Sequence, residues 1–246
     1  MPRSTTRTGD PVTLLQLLWA PGTKVGRSGT TLEAMTQAAI DLADARGLEA
    51  LTMRAVADRI GVGAMTLYGY VPGKPELLEL MLDQVAGTTY QGHPLPGSLP
   101  GWREGLRHIV DRNYAHALDH GWSTAVPPAR PIVGPGNSLK YEAELAPLDG
   151  IGLTDHLMDH ALTTVLGMTN AAARWHLGLE RVRADTQLTD DQWWALSQPI
   201  VSPALNELDL PISTRVGQTV ASAGDPHATL HAGLELILNG LAHDIR

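Results

Sequence analysis

The chain has 246 residues, 43% of them hydrophobic and 18% charged, with a formal net charge of −8 and no cysteine. This length accommodates one large domain or two modest ones with a real core, and the composition excludes a disordered chain. The lack of cysteine excludes disulfides, a thiol nucleophile and thiolate metal sites. No apolar run approaches the roughly 20 residues of a membrane span. Val12 to Trp19 is too short, and too poor in basic flanks, for a signal peptide, so a cytoplasmic location is expected.

Residues 1–28 read as a flexible arm rich in Thr, Gly, Pro and Arg, with one short apolar turn at Leu14 to Trp19. A first helix starts at Thr30 or Thr31, where Thr30 and Glu33 have capping-box spacing. Its apolar stripe is Ala34, Met35, Ala38, Ala39 and Leu42, and Gly47 ends it. Thr52 caps a second helix over Ala55, Val56 and Ile60, stopped by Gly61. Ala64 to Tyr70 forms a third, with Leu67 turned inward and Thr66, Tyr68 and Tyr70 outward. Two short helices around a glycine turn are a helix-turn-helix, whose second helix enters the major groove of DNA. A fourth helix begins at Lys74–Pro75 and runs toward Tyr90.

Beyond a Gly/Pro-rich break at 91–100, helices are predicted at about 102–119, from an Asn137 cap to Leu148, and from a Thr154 cap to about Glu180. Pro127, Pro128, Pro131 and Pro135 exclude a regular element between the first two. Thr189 and Gln192 repeat the capping-box spacing, and Pro199, Pro203 and Pro211 break the following chain into short pieces. Asp225 caps a last amphipathic helix through Leu230, Leu234, Ile237, Leu238 and Leu241. With almost no alternating pattern, the fold class is all-α. The expected domains are 29–74, a helix-turn-helix domain, and 75–246, a larger helical domain.

Charge is distributed unevenly. Residues 1–74 hold eight Lys/Arg and six Asp/Glu, a balance of +2, and residues 75–246 hold ten and twenty, a balance of −10. A weakly basic head on an acidic body suits a DNA reader joined to a part that does not touch DNA. So few cations give only weak nonspecific binding, which a dimer would double. The long helix from Thr154 and the last helix carry apolar surface that could pair across a two-fold axis as a four-helix bundle.

The run Gly-Leu-x-Ala-Leu-Thr-x-Arg-x-Val-Ala, then Ile-Gly-Val, Thr-Leu-Tyr-x-Tyr-Val and Gly-Lys-x-x-Leu-Leu resembles the N-terminal domain of tetracycline-repressor-family regulators over residues 30–80. The LLQLLW turn before it resembles an extension seen in many actinobacterial members. Trp102-Arg103, Arg130-Pro131 and Leu148-Asp149-Gly150-Ile151 resemble the tetracycline-repressor type of C-terminal domain. The resemblance implies a homodimer that binds a palindromic double-stranded operator and is released by a small hydrophobic effector. It implies no enzyme activity and no cofactor.

By the same resemblance, Thr52, Met53, Arg54, Ala64, Met65, Thr66, Tyr68, Gly69, Tyr70 and Lys74 face DNA. Arg54 can take a base edge or a phosphate, and Thr66, Tyr68, Tyr70 and Lys74 suit phosphates. Tyr68 as a core aromatic and Lys74 as a solvated lysine are the plain alternatives. Where the tetracycline repressor has a glutamine-proline pair and a tryptophan, this chain has Ala64-Met65 and Gly69, so readout leans on Arg54, thymine-methyl contacts and DNA shape. Arg3, Arg7, Lys24 or Arg27 could enter a flanking minor groove.

Tyr90, Ile109, Asn113 and Arg130 match the family's effector pocket. Trp122, Met168 and Trp175 are added because large side chains line ligand cavities. The family's metal-binding glutamate and histidine positions fall near Ala173 and Ala125, which disfavours a metal–tetracycline effector. His156/His160 and His116/His120 have zinc-ligand spacing but no evident third ligand, so no metal site is assigned. The alternatives are a DNA-binding regulator without a small-molecule ligand and an all-α enzyme, for which no catalytic constellation is present.

Overall fold

The computed structural model describes residues 11–26, 29–127, 131–220 and 224–245. The fold is all-α: α1 (Pro11–Leu18), α2 (Leu32–Ala50), α3 (Met53–Arg59), α4 (Ala64–Tyr68), α5 (Lys74–Thr88), α6 (Trp102–Asp119), α7 (Pro135–Leu145), α8 (Asp155–Thr186), α9 (Asp190–Asn206), α10 (Pro211–Val220) and α11 (Pro226–Asp244). Among the described residues one small sheet pairs β1 (Lys24–Val25) with β2 (Thr30–Thr31), antiparallel, Lys24 opposite Thr31.

The segment read as a flexible arm is ordered over its described part. Leu18 and Val25 are buried in the N-terminal core. The Leu32 and Glu33 amides donate to the carbonyls of Thr23 and Pro21, and the Trp19 indole donates to the Val133 carbonyl at 3.0 Å. Apolar burial of Leu18 and Val25 decides against a loose arm, a term that its Thr/Gly/Pro composition conceals.

Two cores result. The first gathers Met35, Ile40, Leu51, Leu67, Leu77 and Met81 from α2 to α5. The second gathers Leu106, Ile109, Leu162 and Leu234 from α6, α8 and α11, with Leu148 from the turn after α7. Helix α5 leaves the first and packs along α7. At that crossing Asp83 is buried, and its carboxylate accepts from the Gly136 amide at 3.1 Å and from Asn137 through its amide at 2.9 Å and its Nδ2 at 3.1 Å. A side chain at Gly136 would collide with the Asp83 carbonyl, so the missing Cβ sets the approach of the two helices. Helix α7 therefore starts at Pro135, not at an Asn137 cap; Asn137 is a donor to α5.

Several caps fall where the sequence places them. The Thr52, Thr154 and Asp225 side chains accept from the third residue on, and Thr189 and Gln192 form a reciprocal capping box. Thr31, not Thr30, caps α2: its hydroxyl oxygen accepts from the Ala34 amide at 3.2 Å. Pro199 and Pro203 do not break the chain: α9 runs through both. Four apart, they remove backbone donors along one face, which a helix accommodates by bending.

The apolar sides of α8 and α11 pack on each other within the chain, burying Leu162, Val165, Leu230, Leu234 and Leu238. Exposed apolar surface is concentrated instead on α9 and α10, where Trp193, Leu196, Ile200, Ile212 and Val216 lie open. No helix among the described residues is long and apolar enough to cross a membrane.

Candidate nucleic-acid interface and effector cavity

Helix α3 and the short α4 meet through a turn in which Gly61 adopts φ 71° and the Val62 amide donates to the Ala57 carbonyl at 3.0 Å. A five-residue helix is not stable alone. Helix α4 has one buried side chain, Leu67, and that anchor presents the opposite face to solvent.

On that face Arg54 is 86% exposed, with Nε 3.9 Å from Asp58. Met65 is 82% and Tyr68 47% exposed, so Tyr68 is not a core aromatic. Thr52, Thr66 and Gly69 are also open. Ala64 and Tyr70 are half-buried against the core. The turn after β1 lies beside this surface: a Cβ at Gly26 would stand 3.2 Å from the Thr66 methyl. Lys24 is exposed there, while Arg3, Arg7 and Arg27 lie outside the described residues.

Two of the residues assigned to DNA are placed otherwise. Met53 is buried in the N-terminal core, as its position on the inner side of α3 requires. The Lys74 ammonium donates to the Leu48 carbonyl at 2.7 Å. Burial lowers its pKa, partly opposed by nearby Glu49. Both side chains turn toward the body of the domain rather than to the open face of α4.

Between α5, α6, α7 and α8 lies a cavity of about 260 Å³. Leu82, Val85 and Leu166 form its apolar wall, facing Asn113, His116, Asn137 and Lys140. Its base is a buried polar knot: the Glu144 carboxylate accepts from Tyr90 Oη at 2.8 Å, Asn113 Nδ2 at 2.6 Å and Lys140 Nζ at 2.7 Å. Burial, reinforced by the Glu144 charge, pushes the Tyr90 hydroxyl far above its ordinary pKa, so it remains a donor. Burial also lowers His116 to about 4, helped by His120 and the Lys140 and Arg112 charges, so its imidazole is neutral at pH 7.

Of the residues assigned to the effector, Asn113 lines this cavity and Tyr90 lies beneath it. Ile109 is fully buried in the second core. Met168 packs toward Gly233 on α11, and Trp175 is half-exposed beside Gly224. Arg130 lies outside the described residues. Trp122, only 5% exposed, does not line this cavity and belongs to the N-terminal core. Its indole donates to Asp44 of α2 at 2.7 Å, and His120 Nδ1 reaches the same carboxylate at 2.9 Å. The His116 and His120 rings meet edge to face at 4.8 Å, joining the cavity to that contact. Lys140 and Asn137 escaped the sequence reading because they became pocket residues only through the α5–α7 crossing.

A glycine-turned helix pair, a bridging α5 and a second helical domain with a cavity define a helix-turn-helix regulator. Residues 36–81 match the bacterial regulatory proteins of the tetR family. Residues 94–245 match the tetracyclin repressor-like C-terminal domain. The chain belongs to the tetracycline-repressor family of DNA-binding transcriptional regulators. It is 35% identical over 240 residues to the HTH-type transcriptional repressor DrrR1 of Streptomyces coeruleorubidus, covering 96% of this chain and 87% of that one. It is 23% identical to the class D tetracycline repressor protein of Escherichia coli, over 85% and 87% of the two chains. Among solved structures it is similar to ActR of Streptomyces coelicolor in complex with actinorhodin, at 27% identity and a TM-score of 0.66, covering 87% of this chain and 95% of ActR.

Proposed function

We propose that this protein is a homodimeric repressor that grips a palindromic operator with two copies of α4 and lets go when a small molecule fills the cavity. The carrying observation is the continuity between His116 in the cavity wall, His120 and Trp122, and Asp44 on α2. A ligand that displaces His116 bears on the helix that supports α3 and α4. Release follows from the difference in the ligand's affinity for the two arrangements.

The effector is amphipathic rather than simply hydrophobic. Lys140 and the amides of Asn113 and Asn137 favour carbonyl, phenolate or carboxylate oxygens, and Leu82, Val85 and Leu166 favour an apolar ring. ActR, with actinorhodin bound, supports a small-molecule reading. The bare apolar surface of α9 and α10 supports a second copy as its cover.

On the DNA side, Arg54 is the base or phosphate reader and Met65 the thymine-methyl contact, with Thr52, Thr66 and Tyr68 on phosphates. The test selects the operator from random duplexes with the full chain and measures binding by fluorescence anisotropy. Arg54→Ala should lose about tenfold or more, the worth of one good contact, with an unchanged melting temperature. Equal binding by wild type and Arg54→Ala would overturn the assignment.

A further inference from the structure

Helices α6 and α11 run antiparallel and meet through a polar ladder spaced one turn apart. Arg103 Nη1 reaches Asn239 Oδ1 at 3.4 Å, Arg107 grips the Glu235 carboxylate at 2.8 and 3.1 Å, and Asp111 Oδ1 lies 3.2 Å from His231 Nε2. His227, one turn earlier on α11, closes onto the last rung. Its Nε2 is 3.2 Å from His231 Nε2, and the two rings are 4.4 Å apart. The edge of Tyr114 meets the His227 ring at 5.5 Å. One donor atom from each of Asp111, His227 and His231 lies within 4.8 Å of the other two.

We infer that Asp111, His227 and His231 form a binding site for a divalent transition metal of the zinc class, which clips the start of α11 to α6.

The donor chemistry selects the ion. Two imidazoles and one carboxylate suit Zn²⁺, Ni²⁺ or Cu²⁺, whereas Mg²⁺ takes oxygen ligands. The spacing fits as well. Donors bonded at 2.0–2.1 Å to a tetrahedral ion stand about 3.3 Å apart, close to the two 3.2 Å separations here. Hydrogen bonding alone serves the cluster poorly. His231 Nε2 faces both the Asp111 carboxylate and the His227 nitrogen, so one proton must be shared between two acceptors. A cation satisfies all three lone pairs, with water in the fourth position.

Placement by helix geometry makes the site available. His227 and His231, four apart, share one face of α11, and the ladder above fixes Asp111 opposite them. Asp111 and His227 are exposed and His231 half-buried, so an ion can enter from solvent. The site is apart from the effector cavity, whose α6 residues are Asn113, His116 and Ala117.

The experiment uses the untagged, metal-stripped full chain titrated with ZnCl₂ by calorimetry and with CoCl₂ by visible absorption. Wild type should take up one Zn²⁺ per chain, show the ligand-field bands of tetrahedral Co²⁺, melt at higher temperature with zinc, and ignore MgCl₂. His227→Ala/His231→Ala should abolish all three responses. Asp111→Asn, an exposed change that leaves the fold intact, should weaken zinc affinity about tenfold or more, the least expected when a metal site is disturbed. His156→Ala/His160→Ala should bind as wild type. Absence of saturable zinc binding by wild type at micromolar concentration, or binding unaffected by Asp111→Asn or by the double substitution, would overturn the inference and leave a shared proton as the bond between the helices.

Discussion

Asp44→Ala removes one contact between the two domains at a single carboxylate. The wild-type group accepts the Trp122 indole N–H at 2.7 Å and contacts His120 Nδ1 at 2.9 Å. A hydrogen bond to a charged acceptor is worth about 1.5–3 kcal/mol, and a buried donor left unpaired costs about 1–3 kcal/mol. Asp44 and His120 side chains are 29% and 20% exposed, so water recovers part of that loss. Asp44→Ala should therefore destabilise by about 2–3 kcal/mol, roughly 4–12 °C in melting temperature for a chain this long. Trp122→Phe removes one hydrogen bond and part of a ring, and should cost about 1–2 kcal/mol. Urea unfolding followed by circular dichroism, at one fixed protein concentration, gives the double-mutant cycle. The double variant should recover about 1 kcal/mol relative to the sum of the single losses, because the indole donor has no partner in Asp44→Ala already. Strict additivity of the two substitutions would refute the account of this contact.

His116 makes stability depend on pH. Its ordinary value is 6.5 and its folded value about 4, so the unfolded chain binds the extra proton between these limits. The penalty is absent above pH 6.5 and grows as pH falls to 4, reaching about 3 kcal/mol at 1.36 kcal/mol per unit. His116→Gln should flatten this part of the stability–pH curve, and an unchanged slope would count against the buried neutral imidazole. Lys74→Ala should lower stability by about 1–2 kcal/mol through loss of the bond to the Leu48 carbonyl, while weakening operator binding less than Arg54→Ala does. Anisotropy and thermal melting separate the two, and the reverse order would return Lys74 to the DNA face.

Local signals were the legible part. Thr52, Gly61, Thr154, Thr189 and Asp225 act through backbone groups within a few residues, and the helices they delimit stand in the structure. Exposure was legible where it follows helical period, as at Arg54, Met65 and Tyr68. It was not legible at Met53, which packs into the N-terminal core, or at Lys74, whose ammonium turns to the Leu48 carbonyl. The cavity was hardest, because Asn113 meets the Lys140–Glu144 pair of α7 only after α6 and α7 pack. Trp122 shows the same limit: bulk suggested a pocket wall, but the indole donor found Asp44 on another domain. His227 and His231 have the spacing that drew notice at His156 and His160, yet their third partner is over a hundred residues away.

The α6–α11 ladder also has a direction. A slide of one helical turn, about 5.4 Å, that set Arg107 opposite Asn239 would put Asp111 against Glu235 and drive two carboxylates together. The opposite slide would bring Arg103 to Glu235 and Asp111 to His227 and set Arg107 against His231, so it keeps two attractive pairings and adds one poor one. The charges thus act as a pawl: they resist travel of α11 along α6 more strongly one way than the other.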